Sequence, residues 1–496
     1  MIPFLLACHE PTPPPVVQRP SVLVILWDTV RADRLSLHGH TAPTTPNLDR
    51  FAAGGQVFER AISPGFWTLP AHASLFTGLP VTAHGATWST PWLDDDFVTM
   101  AEWFSEHGYA TYAWSTNPNI HPMRNTTQGF STYHSPFGEE GNPWRAPVLS
   151  ATTARMDPAD ASTPSSPAWP GKRKIAPTIA GPVAPEAFID WLTEVRPPDQ
   201  PYWAFINLME THDPRLPTAE VRAAMLGERA AASLVLNASP GRMRRVTAGA
   251  ETYTEPQREV LRSVFDATLV DLDASTGRLL DALSAIGALD DTIVVITSDH
   301  GEALGEHGLY RHNRGLYDSL VHVPLVLHYP PAVSPGRTAA PVSTASVFAT
   351  IASLAGLPLP ETPQMLRSSL LSAPAEAVFS ECLEPVGTPK PNEPPSMWRQ
   401  GRTVVIGGWK LIRYSDDVIE LFHTTVDPGE QNNLAATQPE RVAKMSAVLA
   451  SWVAGLTPHT PVVPSSLQRL EADGLYREST LVEDVLEALE ALGYVE

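Results

Sequence analysis

Three short segments, far apart in a chain of 496 residues, carry side chains suited to binding an ion or attacking an ester. The apolar run 22–26 is followed by Asp28 in WDTVRADRL, and the apolar run in TIVVITSDHG is followed by Asp299 and His300. A carboxylate and an imidazole side by side at a strand end supply one hard oxygen and one borderline nitrogen, a pairing suited to zinc or manganese. Two such strand ends in one sheet bring their acids together, as a single ion requires. The third segment, SPGFWTLPAHASLFTG, puts Thr68 just before Pro70, at the start of a small-residue helical stretch closed by Gly78. There a threonine serves either as a helix cap or as a hydroxyl beside an anion site. Next to a metal that hydroxyl becomes an alkoxide nucleophile at neutral pH. His212, in METHDP, follows another buried run and faces the same sheet edge, where an imidazole suits general acid work. Glu210 and His212 also offer donors for a second ion.

The elements that must hold these groups alternate along the chain. Apolar runs at 22–26, 110–114, 203–208, 292–297 and 325–328 read as buried strands. Helical patterns fall at 46–53, 97–107, 185–195, 255–286 and 344–355. In the longest, Val260, Leu261, Val264, Leu272, Leu279, Leu283 and Ile286 lie roughly on one side. This alternation predicts an α/β fold over 20–375, with a doubly wound, mainly parallel central sheet flanked by helices. Ligands in such sheets gather beyond the carboxyl ends of the strands. The stretch 138–181, rich in Pro, Ser, Thr and Ala, predicts a flexible surface insert, and 215–254 a partly helical flap. Residues 376–496 change texture. Strands at 378–382, 403–414 and 418–423, a turn at Asp427-Pro428-Gly429-Glu430 and a short helix from Leu481 predict a small C-terminal α+β subdomain.

Composition narrows the partners. With 34 basic against 54 acidic residues, the net charge of −20 repels nucleic acid and anionic membranes. A small anionic substrate stays compatible, because a metal reverses the sign locally. Two cysteines, Cys8 and Cys382, exclude a disulfide framework and a thiolate zinc site. No run approaches the ~20 apolar residues of a membrane span. Residues 1–19 combine MIPFLLAC with a Pro-rich tether. Leu5-Leu6-Ala7-Cys8 is similar to a bacterial lipobox and points to a lipid anchor at Cys8. Its apolar stretch is shorter than a signal peptide's and has no positive charge before it, which points the other way.

Taken together, the segments resemble the sulfatase family of the alkaline phosphatase superfamily. VLVILWDTVRADRLSLHGH and TTPNLDRFAAGG resemble the family's opening, and TLPAHASLFTG its nucleophile segment. TSDHGEALGEHG resembles its second metal motif, LMETHDP its His-containing strand end, and LYDSLVHVPLVL its closing strand. ELFHTTVDPGEQNNLA and ALGYVE resemble its C-terminal signatures. The resemblance implies an alkaline phosphatase-like fold and a metal held by Asp28, Thr68, Asp299 and His300. It implies catalytic roles for Thr68, His72, His212 and His312. His307 stands as a more distant support, His322 as a structural residue and Asn117 as an anion contact.

The departures redirect the chemistry. The family's nucleophile begins as a cysteine or serine oxidised to formylglycine, whereas Thr68 cannot form that aldehyde. His72 replaces the accompanying arginine, Thr29 follows Asp28 where a second aspartate is usual, and Asp299-His300 replaces an Asp-Asn pair. Thr116 and Pro118 fall where the usual anion-binding Lys and His stand. The chain is thus more similar to threonine-nucleophile relatives that use manganese or zinc, with calcium disfavoured. The expected activity is metal-dependent hydrolysis of phosphate or sulfate esters through a covalent intermediate, phosphoester chemistry being favoured. The expected substrate is an anionic ester, as a small molecule, glycan or lipid head group. A phosphoryl transferase and an inactive binding protein are the competing readings. The expected location is periplasmic, cell-envelope or extracellular.

Overall fold

The computed structural model describes residues 19–137, 142–155, 179–230, 240–373, 375–391, 393–465 and 467–468. The Cys8 segment, most of the insert at 138–181 and the expected helix from Leu481 lie outside the described residues.

The central sheet has eight strands: β1 (Ser21–Trp27), β2 (Gln56–Phe58), β3 (Ala110–Ser115), β4 (Thr132–His134), β5 (Tyr202–Leu208), β6 (Thr292–Ser298), β7 (Leu325–His328) and β8 (Gly336–Thr338). Their spatial order is β8-β2-β7-β6-β1-β5-β3-β4. The block from β6 to β4 is parallel, and β7 runs antiparallel to both of its neighbours. This matches the expected mainly parallel sheet. Three short strands, β2, β4 and β8, were not legible as separate apolar runs.

The continuous apolar run of β1 has a simple cause, since both faces of the strand are covered. Val22, Val24 and Leu26 pack with Leu75, Phe76, Phe104, Phe348 and Ile351 on one side. Leu23, Ile25 and Trp27 pack with Phe188, Trp191, Phe265, Leu269 and Leu272 on the other. Each such side chain contributes ~1.5–3 kcal/mol on burial, so a polar residue inside the run is strongly selected against. The first side is built by helices α2 (Thr68–Thr77), α3 (Met100–Glu106) and α6 (Val347–Leu354). The second is built by α1 (Pro46–Ala52), α4 (Ala184–Asp190) and the 31-residue α5 (Glu255–Ala285). A capping box between Thr254 and Gln257 starts α5. Ile286, expected on its buried side, lies past the last turn and is 47% exposed.

The C-terminal sheet is an antiparallel meander of β9 (Val378–Cys382), β10 (Gly401–Ile406), β11 (Trp409–Tyr414) and β12 (Ile419–His423). The stretch expected as one strand at 403–414 is two, because Gly407, at φ +55°, and Gly408 make a hairpin turn. Val404, Leu411 and Leu421 face α7 (Pro439–Gly455) through Met445 and Leu449. Val405, Ile412 and Phe422 face the main domain, against Phe66, Trp67 and Leu320. No helix among the described residues is long and apolar enough to cross a membrane.

Candidate active site

Register dictates the first convergence. In the parallel pair β1–β6, Trp27 lies opposite Ser298, so the next residues, Asp28 and Asp299, leave the sheet side by side. With His300 they place three ligand atoms within 4.8 Å of one another, all buried. That spread is about the diameter of a shell built on bonds of ~2.0–2.2 Å. The His300 Nδ1–H donates to the Gly301 carbonyl at 2.9 Å, which turns Nε2 towards Asp299, where its lone pair serves a cation once that nitrogen gives up its proton. Gly301 has no room for a side chain: a Cβ there would meet the Ser319 carbonyl oxygen at 2.2 Å.

The two carboxylates are oriented from outside the trio. Asn117 donates to Asp28 Oδ2 at 2.6 Å, and Asn207, inside β5, at 3.4 Å. Asp299 Oδ1 accepts the His300 amide at 2.8 Å and the Thr29 amide at 3.2 Å. Thr29 holds φ at +61°, a strained conformation for a β-branched residue, and the turn it makes aims its N–H at Asp299. The remaining oxygens, Asp28 Oδ1 and Asp299 Oδ2, are buried with no aligned donor. Burial and the nearby Asp299 push Asp28 up to about 8. Burial opposes charge on His300, but Asp299 holds it up to about 9. Two buried acids and an imidazole lone pair, with one oxygen of each acid lacking an aligned donor, fit a divalent cation. Asn, Thr and His around them leave no thiolate in the set.

Thr68 is the first residue of α2, fully buried. It is not the cap: Trp67 is, and it makes no side-chain capping bond. Thr68 Oγ1 lies 3.3 Å from His300 Nε2, at the edge of the Asp28–Asp299–His300 trio. One turn later the His72 Nδ1–H donates to the Thr68 carbonyl at 2.8 Å and lies 3.5 Å from Asp299 Oδ2. The ring is wedged edge-on against Phe76 and Phe205. Burial lowers its pKa, Asp299 partly opposing.

Beyond His300 stands a row of imidazoles. His312 lies 4.5 Å from His300 between ring centroids, and His212 lies 5.0 Å from His312. The His312 Nδ1–H donates to Glu302 at 3.2 Å, and the His212 Nδ1–H to the Asp213 carbonyl at 2.7 Å. Burial lowers both, His212 to about 3. Arg215 bridges Asp213 at 2.6 Å and Glu302 at 2.8 Å, and Arg311 reaches Asp213 at 3.0 Å. The two arginines hold Asp213 below its usual range despite burial.

The structure thus brings Asp28, Thr68, His72, Asp299 and His300 together, with His212 and His312 adjoining. Asn117, expected at an anion, donates to Asp28. Glu210 does not join His212 as a donor: it accepts the Gly181 amide at 2.5 Å. His307 stacks on Tyr317 at 3.6 Å, on a polar cavity of about 620 Å³ against the C-terminal subdomain. His322 donates to the Glu59 carbonyl at 2.8 Å, a structural role as expected. Sequence reasoning missed Asn207, Asp213, Arg215, Glu302 and Arg311. An asparagine inside the apolar run YWAFINL was the available signal for Asn207.

Comparison with known proteins agrees with this architecture. The family model described as Sulfatase matches residues 20–357. The chain is 25% identical to arylsulfatase K of Gallus gallus over 494 residues, covering 93% of this chain and 86% of that one. It is 25% identical to an ulvan-active sulfatase of Formosa agariphila, covering 87% and 81%. Among solved structures, a phosphonate monoester hydrolase of Agrobacterium radiobacter superposes with a TM-score of 0.65 at 22% identity, over 89% of this chain and all of that one. A protein solved in complex with its substrate D-glucosamine-2-N,6-O-disulfate superposes at 0.66 with 18% identity, over 88% and 98%.

Proposed function

Because the chain belongs to the sulfatase family, we propose that it hydrolyses sulfate or phosphate esters with Thr68 as nucleophile. The observation that carries this reading is the approach of Thr68 Oγ1 to His300 Nε2 at 3.3 Å, beside the convergent Asp28 and Asp299. Asp28, Asp299 and His300 would hold a divalent cation, zinc or manganese by donor type, with Thr68 at its edge. When bound, such a cation lowers the pKa of an adjacent hydroxyl and neutralises charge on the ester oxygens.

The chain's own groups do the rest. The bond from Thr68 Oγ1 to sulfur or phosphorus forms as the bond to the leaving oxygen breaks. The start of α2 favours the anionic group being transferred. The row of His312 and His212 relays the protons: one passes from the Thr68 hydroxyl to the departing alkoxide, and one from the attacking water back to Thr68 Oγ1. In that second step water adds to the sulfur or phosphorus, the Thr68 ester bond breaks, and sulfate leaves from a sulfate ester, phosphate from a phosphomonoester, or a phosphate monoester from a diester. His72 is a positioning residue, tying the helix carbonyl of Thr68 to the Asp299 side of the site. The family's wider chemistry supports an anionic small-molecule or glycan ester as substrate and a cell-envelope or extracellular location.

The test uses the purified protein loaded with zinc or manganese, given an aryl sulfate and an aryl phosphodiester in parallel. Product release into water, with a mass increment on Thr68 in trapped protein, is the expected result. Release that depends on an added alcohol would make it a transferase. An adduct elsewhere, or full turnover by Thr68→Ala, would falsify the mechanism.

A further inference from the structure

Two residues beyond His312 lies an arginine that the chemistry above does not use. Arg314 is 7% exposed, and its Nε is buried with no partner. Among the described residues, no hydrogen bond or ion pair reaches its guanidinium. Its recorded contact is the indole of Trp398, whose ring centroid lies 5.0 Å from its Cζ. Arg244, in the helix Pro240–Thr247, approaches the same indole at 5.9 Å. The nearby carboxylate, Glu393, is already engaged. It pairs with Arg244 at 2.6 and 3.2 Å and accepts the Lys390 amide at 3.1 Å. Two guanidinium groups therefore share one indole, while the carboxylate beside them pairs with Arg244.

Such an arrangement is costly unless something completes it. A buried cation without an acceptor keeps its desolvation penalty and gains little in return. Burial draws Arg314 down to about 10, with Glu393 opposing and Arg244 adding to the shift. The groups come from three separate parts of the chain: the His312 loop, the Arg244 helix and the C-terminal subdomain. The loops are tied together where the Val386 amide donates to the Asn313 carbonyl at 2.8 Å. Arg314 follows His312 by two residues in the same loop, which keeps their Cα atoms within ~7 Å of each other.

We infer that Arg314, seated on Trp398, forms a subsite for a second anionic group, a carboxylate or sulfate carried on the leaving group of the ester. This rests on the ester chemistry proposed above. Substrates with two anionic groups would be preferred over those with one, because only the former supply the missing acceptor. A guanidinium suits a planar carboxylate or a sulfate face through paired N–H donors, which a lysine cannot reproduce.

The experiment compares a monosaccharide monosulfate with its disulfate. The ratio of kcat/KM, disulfate over monosulfate, is expected to fall at least about tenfold in Arg314→Met and by less in Arg314→Lys. An unchanged ratio, or equal kcat/KM for the two sugars in the parent, overturns the subsite. Calorimetry in the Thr68→Ala background separates this from the proposed reaction, since binding needs no turnover. Tighter binding of the disulfate, lost on adding Arg314→Met, is the expected result. Equal binding of both sugars, or no binding of either, overturns the inference. Inorganic sulfate is titrated alongside: binding with the same dependence on Arg314 would assign the subsite to free product and overturn the leaving-group reading. Thermal unfolding of each variant identifies a loss of fold, in which case Arg314→Lys and Trp398→Phe carry the comparison.

Discussion

Thr68 Oγ1 and His300 Nε2 stand 3.3 Å apart although 232 residues separate them in the chain. Neither residue controls that distance alone. The position of His300 follows from the register of β6 on β1, and that of Thr68 from the packing of α2 on the face of the sheet formed by Val22, Val24 and Leu26. The hydroxyl is therefore presented by a helix packed on the sheet, as the nucleophilic role proposed for it requires.

Removing the hydroxyl is the direct test of that relationship. Thr68→Ala should lower kcat by about 10³-fold or more, while Thr68→Ser, which keeps the oxygen, should retain part of the activity. Both side chains are smaller than threonine, so packing alone would affect the two alike. Steady-state kinetics on an aryl ester checks this, and equal loss in both variants would argue for a packing role.

Asn117 offers a separate handle on the cation site. Its amide donates to Asp28 Oδ2 at 2.6 Å, leaving Oδ1 buried without a hydrogen bond. Residues that orient metal-binding carboxylates typically change metal affinity or activity by about 10–100-fold when removed. Asn117→Ala should weaken zinc or manganese binding by that order without altering the unfolding midpoint of the metal-free protein by much. A competitive chelator titration measures the first and urea unfolding the second. Unchanged metal affinity would separate Asn117 from the site.

These residues differ in how far the sequence revealed them. Asp28, Asp299 and His300 were legible because they interrupt buried apolar runs at strand ends, where polar residues need a reason. Thr68 was legible through its Pro and Gly boundaries. Asn207 was harder, since its meaning depends on which strand lies beside β1, and register between distant strands is not written locally. Strands β2, β4 and β8 escaped notice because three residues are too few to establish a period. The hairpin at Gly407-Gly408 was present in the letters but was read through as one strand. Arg215 and Glu302 stand in segments with no local pattern to mark them, and only the fold places them, buried, against each other.

Lys410 ties the C-terminal sheet to the main domain. Its buried ammonium pairs with Asp318 and with Glu430, each at 2.8 Å, while Arg60 holds the other oxygen of Asp318. Glu430 also accepts the Asp318 amide at 2.6 Å. Removing the lysine leaves two acids facing each other out of water. Lys410→Met should therefore destabilise by about 3–5 kcal/mol, far more than loss of a surface pair. Urea unfolding resolves such a change, and a cost near zero would mean that solvent already reaches the cluster.

Acid sensitivity should trace to histidines buried neutral, away from the cation site. His84 Nδ1 accepts the Ala86 amide at 3.1 Å while its Nε2–H donates to Ser74 at 3.0 Å. His121 Nδ1 accepts the Met123 amide at 3.3 Å, capping Pro122–Arg124. A second proton on either ring would meet a backbone N–H, and burial lowers both to about 3. The folded state then binds fewer protons than the unfolded chain, whose histidines titrate near ~6.5. Their contribution is fully present above ~6.5 and is lost as pH falls towards 3, at up to about 1.4 kcal/mol per pH unit for each ring, or about 2 kcal/mol each at pH 5. Asparagine at position 121 keeps an oxygen acceptor for the same amide but cannot titrate. Unfolding free energies of His121→Asn measured at pH 7.5, 6 and 5 should accordingly decline less steeply than those of the parent. Parallel slopes would place the titrating groups elsewhere.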